Sequence, residues 1–93
     1  MSGPRVRTAA LIVNKRGLHA RASAKFVETA ANFQSEVTVT KDDTSVSGRS
    51  IMGLMMLGAS LGTTVELSAD GPDAKAAIQA LLELISAKFY EDA

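Results

Sequence analysis

Four segments of the chain carry the hydrophobic pattern of β-strands. The first, "VRTAALIV" from Val6 to Val13, is apolar and rich in β-branched residues over the length of one strand. Residues 35–41 and 63–69 alternate apolar and polar side chains, which is typical of strands that bury one face. Asp42 and Asp43 favour a turn, after which "TSVS" at 44–47 completes a predicted hairpin.

Two further segments repeat their apolar residues at steps of three and four, as amphipathic helices do. The first helix is predicted to begin at His19 and to end within residues 32–35. Its apolar face comprises Ala22, Phe26, Val27, Ala30 and Phe33. The second helix is the short stretch "IMGLMML" at 51–57, for which Ser50 is the predicted N-cap. We expect Leu54 and Leu57 to face the core.

The last helix has the broadest apolar stripe. Pro72 is predicted to lie in its first turn, and Asp73 near the positive end of its dipole. The stripe comprises Ala74, Ala77, Ile78, Leu81, Leu82, Ile85 and Phe89. The order β-α-β-β-α-β-α with half-buried strands predicts an α+β fold of two layers, in which helices cover one face of a sheet. No repeat or linker divides residues 1–93, so we expect a single domain.

Composition removes several classes of function. The chain has no cysteine, which excludes disulfides, thiolate metal sites and cysteine nucleophiles, and the lack of a second histidine argues against a metal site. Ten basic and ten acidic residues give no net charge, which argues against nucleic-acid binding. No apolar run approaches the roughly 20 residues of a membrane span. We expect a cytoplasmic protein that does not insert into a membrane.

The lone histidine, His19, stands between a glycine turn and a predicted helix. A solitary histidine is usually a surface residue without chemistry, but the first N–H groups of a helix have no intrahelical partner and favour an anion. Their positive field would keep the imidazole neutral and nucleophilic. Arg21, two residues on, could hold an oxyanion. This pattern predicts a phosphoryl acceptor whose new negative charge lies among backbone N–H groups and a guanidinium.

Two stretches together, "GLHARASAKF" at 17–26 and "GRSIMGLMML" at 48–57, resemble the HPr phosphocarrier family of the bacterial phosphotransferase system. The family signature is matched by Gly17, Leu18, His19, Ala20 and Arg21. The likeness covers the order and length of elements over essentially the whole chain. Many members have proline after that arginine, where this chain has Ala22. In this respect it is more similar to the nitrogen-regulatory branch, although a role in sugar uptake stays open.

The resemblance implies that His19 takes a phosphoryl group on Nδ1 from enzyme I, which draws on phosphoenolpyruvate, and passes it to a histidine of an EIIA-type protein. Arg21 and the backbone of Ala20 and Arg21 would hold the phosphate. The implied fold is the HPr-like open-faced sandwich, a four-stranded antiparallel sheet with three helices on one face. The protein would be a monomeric covalent carrier with no cofactor, rather than a stand-alone enzyme.

Ser50 has a second interpretation besides capping. Residues 48–52 match the regulatory serine motif of the family, which implies phosphorylation by an enzyme of the HPr kinase/phosphorylase type if that enzyme is present. The short helix after it is apolar on too many sides to be wholly buried, and methionine adapts to different partner surfaces. We therefore predict a docking face for partner proteins formed by Ala22, Arg49, Ile51, Met52 and Met55.

Three other functions are less consistent with the sequence than phosphotransfer. A regulatory module of the same fold would bind partners through the Ile51–Met55 helix without transferring a phosphate, but in the family such a member would lack the histidine. An unrelated ligand- or RNA-binding domain would make both motifs coincidences, and the chain lacks an aromatic RNA-binding signature. A stand-alone enzyme would need a second acid–base group near His19, and the sequence indicates none.

Overall fold

The computed structural model describes residues 5–91 and has the predicted order of strands and helices. The strands are β1 (Arg5–Leu11), β2 (Glu36–Lys41), β3 (Thr44–Ser47) and β4 (Thr64–Asp70). The helices are α1 (Ala20–Ala30), α2 (Ile51–Met56) and α3 (Ala74–Ser86), and a 3-10 turn, Lys88–Tyr90, follows α3. The predicted α+β class is confirmed.

The four strands form one antiparallel sheet in the order β1-β4-β2-β3. Strand β4 lies between β1 and β2, and its pairing runs from Leu11↔Thr64 to Arg5↔Asp70 on one side. The predicted hairpin joins β2 to β3 through Asp42, whose φ of 55° supplies the left-handed turn residue. The two edges of the sheet are therefore β1 and β3.

One face of the sheet is covered by the three helices, as predicted. The central strands contribute Val37, Val39, Val65, Leu67 and Ala69 to a core that also contains buried residues of every helix. Leu54 and Leu57 both lie in this core, which confirms their predicted orientation. The other face carries exposed polar pairs such as Arg7 and Glu66, 2.9 Å apart. Within residues 5–91, no helix is long and apolar enough to cross a membrane.

The bounds of several elements differ from the predictions by one or more residues, as in β1 and α1. Strand β1 ends at Leu11 rather than Val13, because Ile12 exchanges backbone hydrogen bonds with Gly62 and Thr63 in the loop before β4. Helix α1 begins at Ala20, one residue after the predicted start, and ends at Ala30, before the predicted residues 32–35, so Phe33 lies beyond the helix.

The predicted helical stripe of α3 does not extend to Phe89. The helix ends at Ser86, and Lys88, Phe89 and Tyr90 follow with φ values of 58°, 54° and 59°. The Phe89 ring is nevertheless buried in the core, on this left-handed turn rather than on a helix. The sequence periodicity placed Phe89 on the correct side of the helix but in the wrong backbone conformation.

Asp73 lies at the positive end of α3, as predicted, but its side chain does not bond to that helix. It is the N-cap residue, so Pro72 precedes the helix instead of lying in its first turn, and the Asp73 side chain makes no capping bond. The carboxylate instead accepts hydrogen bonds from the backbone N–H of Gln34 and from the N–H and hydroxyl of Ser35, at 2.9, 2.9 and 2.6 Å. It therefore ties the start of α3 to the loop between α1 and β2.

These bonds, above all the one from the Ser35 hydroxyl, hold the pKa of Asp73 below its usual range. A carboxyl whose pKa is lower in the folded state stabilises the fold above its unfolded pKa, and this contribution disappears as the pH falls through the folded pKa. We expect Asp73→Asn to flatten the loss of stability between pH 7 and about pH 3. Urea unfolding midpoints across this range test the prediction, and parallel profiles for the two proteins would contradict it.

Candidate functional site

The turn that precedes α1 brings His19 to the surface next to the loop after α2. Asn14 closes this turn, since its carbonyl accepts from the N–H of Gly17 and its side-chain Nδ2 donates to the Gly17 carbonyl at 2.8 Å. Leu18 then donates its N–H to the carbonyl of Ala59 at 2.9 Å and buries its side chain. The backbone on both sides of His19 is thereby fixed.

Gly17 is required in this turn for two reasons. Its φ is +64°, and a Cβ at this position would clash with the Ala59 carbonyl oxygen and lie 2.8 Å from the Cα of Ser60. We expect Gly17→Ala to destabilise the fold by about 2–4 kcal/mol, from left-handed strain and the steric clash together. Gly58→Ala is the matched control, because Gly58 has a φ of +66° with no atom within 4 Å of an added Cβ. Urea unfolding of both variants gives the comparison, and equal losses would refute the steric argument.

His19 is the N-cap residue of α1, but its side chain makes no capping bond. Its carbonyl accepts from the N–H of Ser23, which closes the first helical turn. Within residues 5–91, the backbone N–H groups of Ala20, Arg21 and Ala22 have no hydrogen-bond partner. The positive end of an 11-residue helix therefore opens beside the imidazole, where it favours an anion.

A carboxylate that the sequence analysis missed lies against this imidazole. Glu91 Oε2 is 2.8 Å from His19 Nε2, and the two side chains are only 12% and 17% exposed. The expectation that no acid–base group lies near His19 is therefore wrong. The two residues are 72 positions apart, and no spacing or motif in the sequence links them.

Two further donors hold the Glu91 carboxylate in place. Asn14 Nδ2 donates to Oε2 at 3.2 Å, and the backbone N–H of Arg16 donates to Oε1 at 3.4 Å. These bonds, of which the one to His19 is the strongest influence, lower the pKa of Glu91. An ionised carboxylate only accepts hydrogen bonds, so the network assigns the ring hydrogen to Nε2. The neutral imidazole then has its lone pair on Nδ1.

The two arginines predicted to act at the site, Arg21 and Arg49, lie near opposite ends of α1. Arg21 lies on the first turn of α1 and is exposed, and no carboxylate among the described residues pairs with it. Arg49 instead donates from Nη2 to the carbonyl of Phe33 at 2.8 Å, beyond the far end of α1. Since α1 is about 16 Å long, the structure does not bring Arg49 to His19. Lys25, on α1, donates from Nζ to the Phe89 carbonyl at 2.9 Å.

Ser50 caps α2 as predicted, because its hydroxyl accepts from the N–H of Gly53 at 2.9 Å. Helix α2 runs roughly antiparallel to α1. Arg49, before α2, contacts Phe33 after α1, whereas Ala59, after α2, contacts Leu18 before α1. Ser50 and His19 therefore lie at opposite ends of this helix pair.

The surface of α2 carries a group of exposed apolar side chains. Among the residues predicted to dock partners, Met52 is 69% exposed, and Ile51 and Met55 are each about two-fifths exposed. Met56 and Leu61, which the sequence analysis did not select, are exposed to 79% and 57%. Ala22, by contrast, is fully buried, so its side chain cannot contact a partner.

Comparison with known proteins agrees with this architecture. The family model described as "PTS HPr component phosphorylation site" matches residues 6–87. The phosphocarrier protein HPr of Neisseria meningitidis is 59% identical over 80 residues, which cover 86% of this chain and 90% of the relative. The phosphocarrier protein NPr of Shewanella violacea is 42% identical over 80 residues, 86% of this chain and 88% of the relative.

A solved structure, HPr-C-His from Thermoanaerobacter tengcongensis, superimposes with a TM-score of 0.89 at 49% identity, over 95% of this chain and 99% of the other. Fold, sequence and family model thus agree over most of the molecule. The chain belongs to the HPr family, the phosphocarriers of the phosphotransferase system.

Proposed function

We propose that this protein carries a phosphoryl group on His19, accepting it from enzyme I and passing it to an EIIA-type protein. The main support is the environment of the imidazole. Nε2 is hydrogen-bonded to a carboxylate, and the adjacent helix begins with three backbone N–H groups that have no partner among the described residues. This arrangement supports a nucleophile at Nδ1 with an anion site beside it. In this proposal, residues 1–93 form one domain that acts in the cytoplasm and needs no cofactor.

The phosphate is held, in this proposal, by groups at the start of α1. The N–H groups of Ala20 and Arg21 face no partner among the described residues, and the Arg21 guanidinium is exposed and unpaired there. A guanidinium binds phosphate oxygens through two parallel hydrogen bonds. Together they would stabilise the charge that reaches His19 with the phosphoryl group.

Both partners would dock on the exposed apolar side chains of α2, namely Ile51, Met52 and Met55. Enzyme I and the EIIA-type protein must each bring a phosphoryl-bearing or accepting histidine to the same ring, so they would use this face in turn. Exposed methionines support such shared use because they repack against different surfaces.

Phosphorylation of Ser50 by an HPr kinase/phosphorylase-type enzyme would act on docking. The Ser50 hydroxyl lies at the end of α2 remote from His19. A phosphate there adds between about 1.5 and 2 negative charges. These charges would alter the binding of a partner on α2 more than they would alter the distant imidazole.

The test is incubation with phosphoenolpyruvate, magnesium and an active bacterial enzyme I, followed by intact mass measurement. The wild-type protein and Ser50→Ala should each gain one acid-labile phosphate. Addition of a sugar-type or a nitrogen-type EIIA should then remove it, and the faster acceptor identifies the branch. Absence of transfer from an enzyme I active on its own carrier would overturn the proposal and favour a regulatory module that binds through α2.

A further inference from the structure

We propose that Glu91 is a positioning residue for His19: its carboxylate holds the ring hydrogen on Nε2 and so makes Nδ1 the phosphoryl acceptor. The inference rests on the proposed function, to which it adds a residue from the other end of the chain. Glu91 lies outside both sequence motifs and outside the matched family range of residues 6–87.

The orientation of Glu91 supports this role. Oε2 receives hydrogen bonds from His19 Nε2 at 2.8 Å and Asn14 Nδ2 at 3.2 Å, while Oε1 faces the N–H of Arg16 at 3.4 Å. The carboxylate is thus fixed by the same turn that fixes the backbone of His19. A carboxylate held this way restricts both the rotation of the imidazole ring and the choice of its tautomer.

The C-terminal turn is held in the conformation that delivers Glu91. Three consecutive non-glycine residues, Lys88, Phe89 and Tyr90, have positive φ values, a conformation that costs roughly 1–2 kcal/mol per residue. The buried Phe89 ring and the bond from Lys25 Nζ to the Phe89 carbonyl offset this cost. The Lys25 ammonium also lies 5.7 Å from the centre of the Tyr90 ring. The segment is therefore docked against α1, the helix that begins next to His19.

The carboxylate would act both when His19 accepts the phosphoryl group and when it donates the group to the next protein. When the Nδ1 lone pair forms the N–P bond, the bond between phosphorus and its donor group breaks, and the hydrogen on Nε2 stays in place. The ring becomes positively charged, and the negative charge of the Glu91 carboxylate stabilises it. On transfer to the acceptor the N–P bond breaks, its electron pair returns to Nδ1, and the ring is again neutral with the same tautomer.

Nitrogen-15 NMR of the imidazole tests the tautomer without any phosphotransfer. The spectra are recorded at about pH 8.5, where an ordinary histidine is neutral. We expect one tautomer, with hydrogen on Nε2, in the wild type and in Glu91→Gln, whose amide oxygen can still accept from both Nε2 and Asn14. Glu91→Ala should gain a measurable population with hydrogen on Nδ1. Glu28→Gln, an exposed change of equal charge on α1, should resemble the wild type.

Rates of phosphoryl acceptance from enzyme I supply the second measurement. Because a charge-assisted hydrogen bond is about twice as strong as a neutral one, Glu91→Gln should be slowed about tenfold and Glu91→Ala more. Glu28→Gln should stay close to the wild-type rate. Unchanged tautomers or unchanged rates in Glu91→Ala, with folding verified by urea unfolding, would overturn the inference. If wild-type His19 accepts no phosphate at all, the proposed function fails, whereas the tautomer spectra still report whether Glu91 orients the ring.

Discussion

His19→Ala is expected to abolish phosphoryl acceptance, with a fall in rate of at least about 10³-fold, the scale seen when a catalytic nucleophile is removed. The chain has no second histidine and no cysteine. The remaining nucleophiles are hydroxyls, amines and carboxylates without the neutral, oriented lone pair that the His19 ring has. After incubation with enzyme I and phosphoenolpyruvate, the intact mass of the variant should be unchanged.

Loss of folding or of docking would be an alternative cause, and both can be measured. His19→Ala removes the 2.8 Å hydrogen bond to Glu91 but no side chain of the hydrophobic core, so the variant should remain folded, with a urea midpoint only moderately below that of the wild type. The side chains of Ile51, Met52 and Met55 are unaffected, so the variant should still compete with the wild type for enzyme I. An acid-labile phosphate on His19→Ala would contradict the assignment of His19 as the acceptor.

Phe26→Ala is expected to give the largest loss of stability, about 3–5 kcal/mol, the usual cost of truncating a buried aromatic ring. Phe26 is 1% exposed on the core side of α1 and is among the largest fully buried side chains. Small domains have only about 5–15 kcal/mol of total stability, so the variant should unfold at a far lower urea concentration.

Phe33→Ala is the matched control for this substitution. Phe33 follows the same helix but is only partly buried against the core. We expect its truncation to cost about 1.5–3 kcal/mol at most, clearly less than the truncation of Phe26. Similar urea midpoints for the two variants would show that the core does not depend on α1 as the packing indicates.

Separation of His19 from Ser50 has a consequence for regulation. The antiparallel arrangement of α1 and α2 puts the Ser50 hydroxyl and the His19 imidazole at opposite ends of the helix pair. The exposed methionines of α2 lie between them. A partner covering these methionines would approach both sites at once. The proposed Ser50 phosphate would therefore reduce partner binding more than it would alter the reactivity of the ring.

The amino-acid sequence by itself determined the order of elements, the core faces of the helices and of the two alternating strands, and the position of His19 before α1. These features depend on neighbouring residues: alternation with period 2, repeats at three and four, a glycine turn and a serine cap at Ser50. The family motifs at 17–26 and 48–57 are equally local, which is why they identify the family without a structure.

Only the tertiary structure decided which distant side chains meet. Glu91 reaches His19 through a left-handed turn that helical periodicity does not encode, since the apolar stripe of α3 continues to Phe89 while the backbone does not. The Asp73 side chain bonds to the loop at Gln34 and Ser35 and not to its own helix, because two backbone N–H groups there have no other partner. Such pairings depend on how the chain returns across the sheet, so they cannot be predicted from the local sequence pattern around each residue.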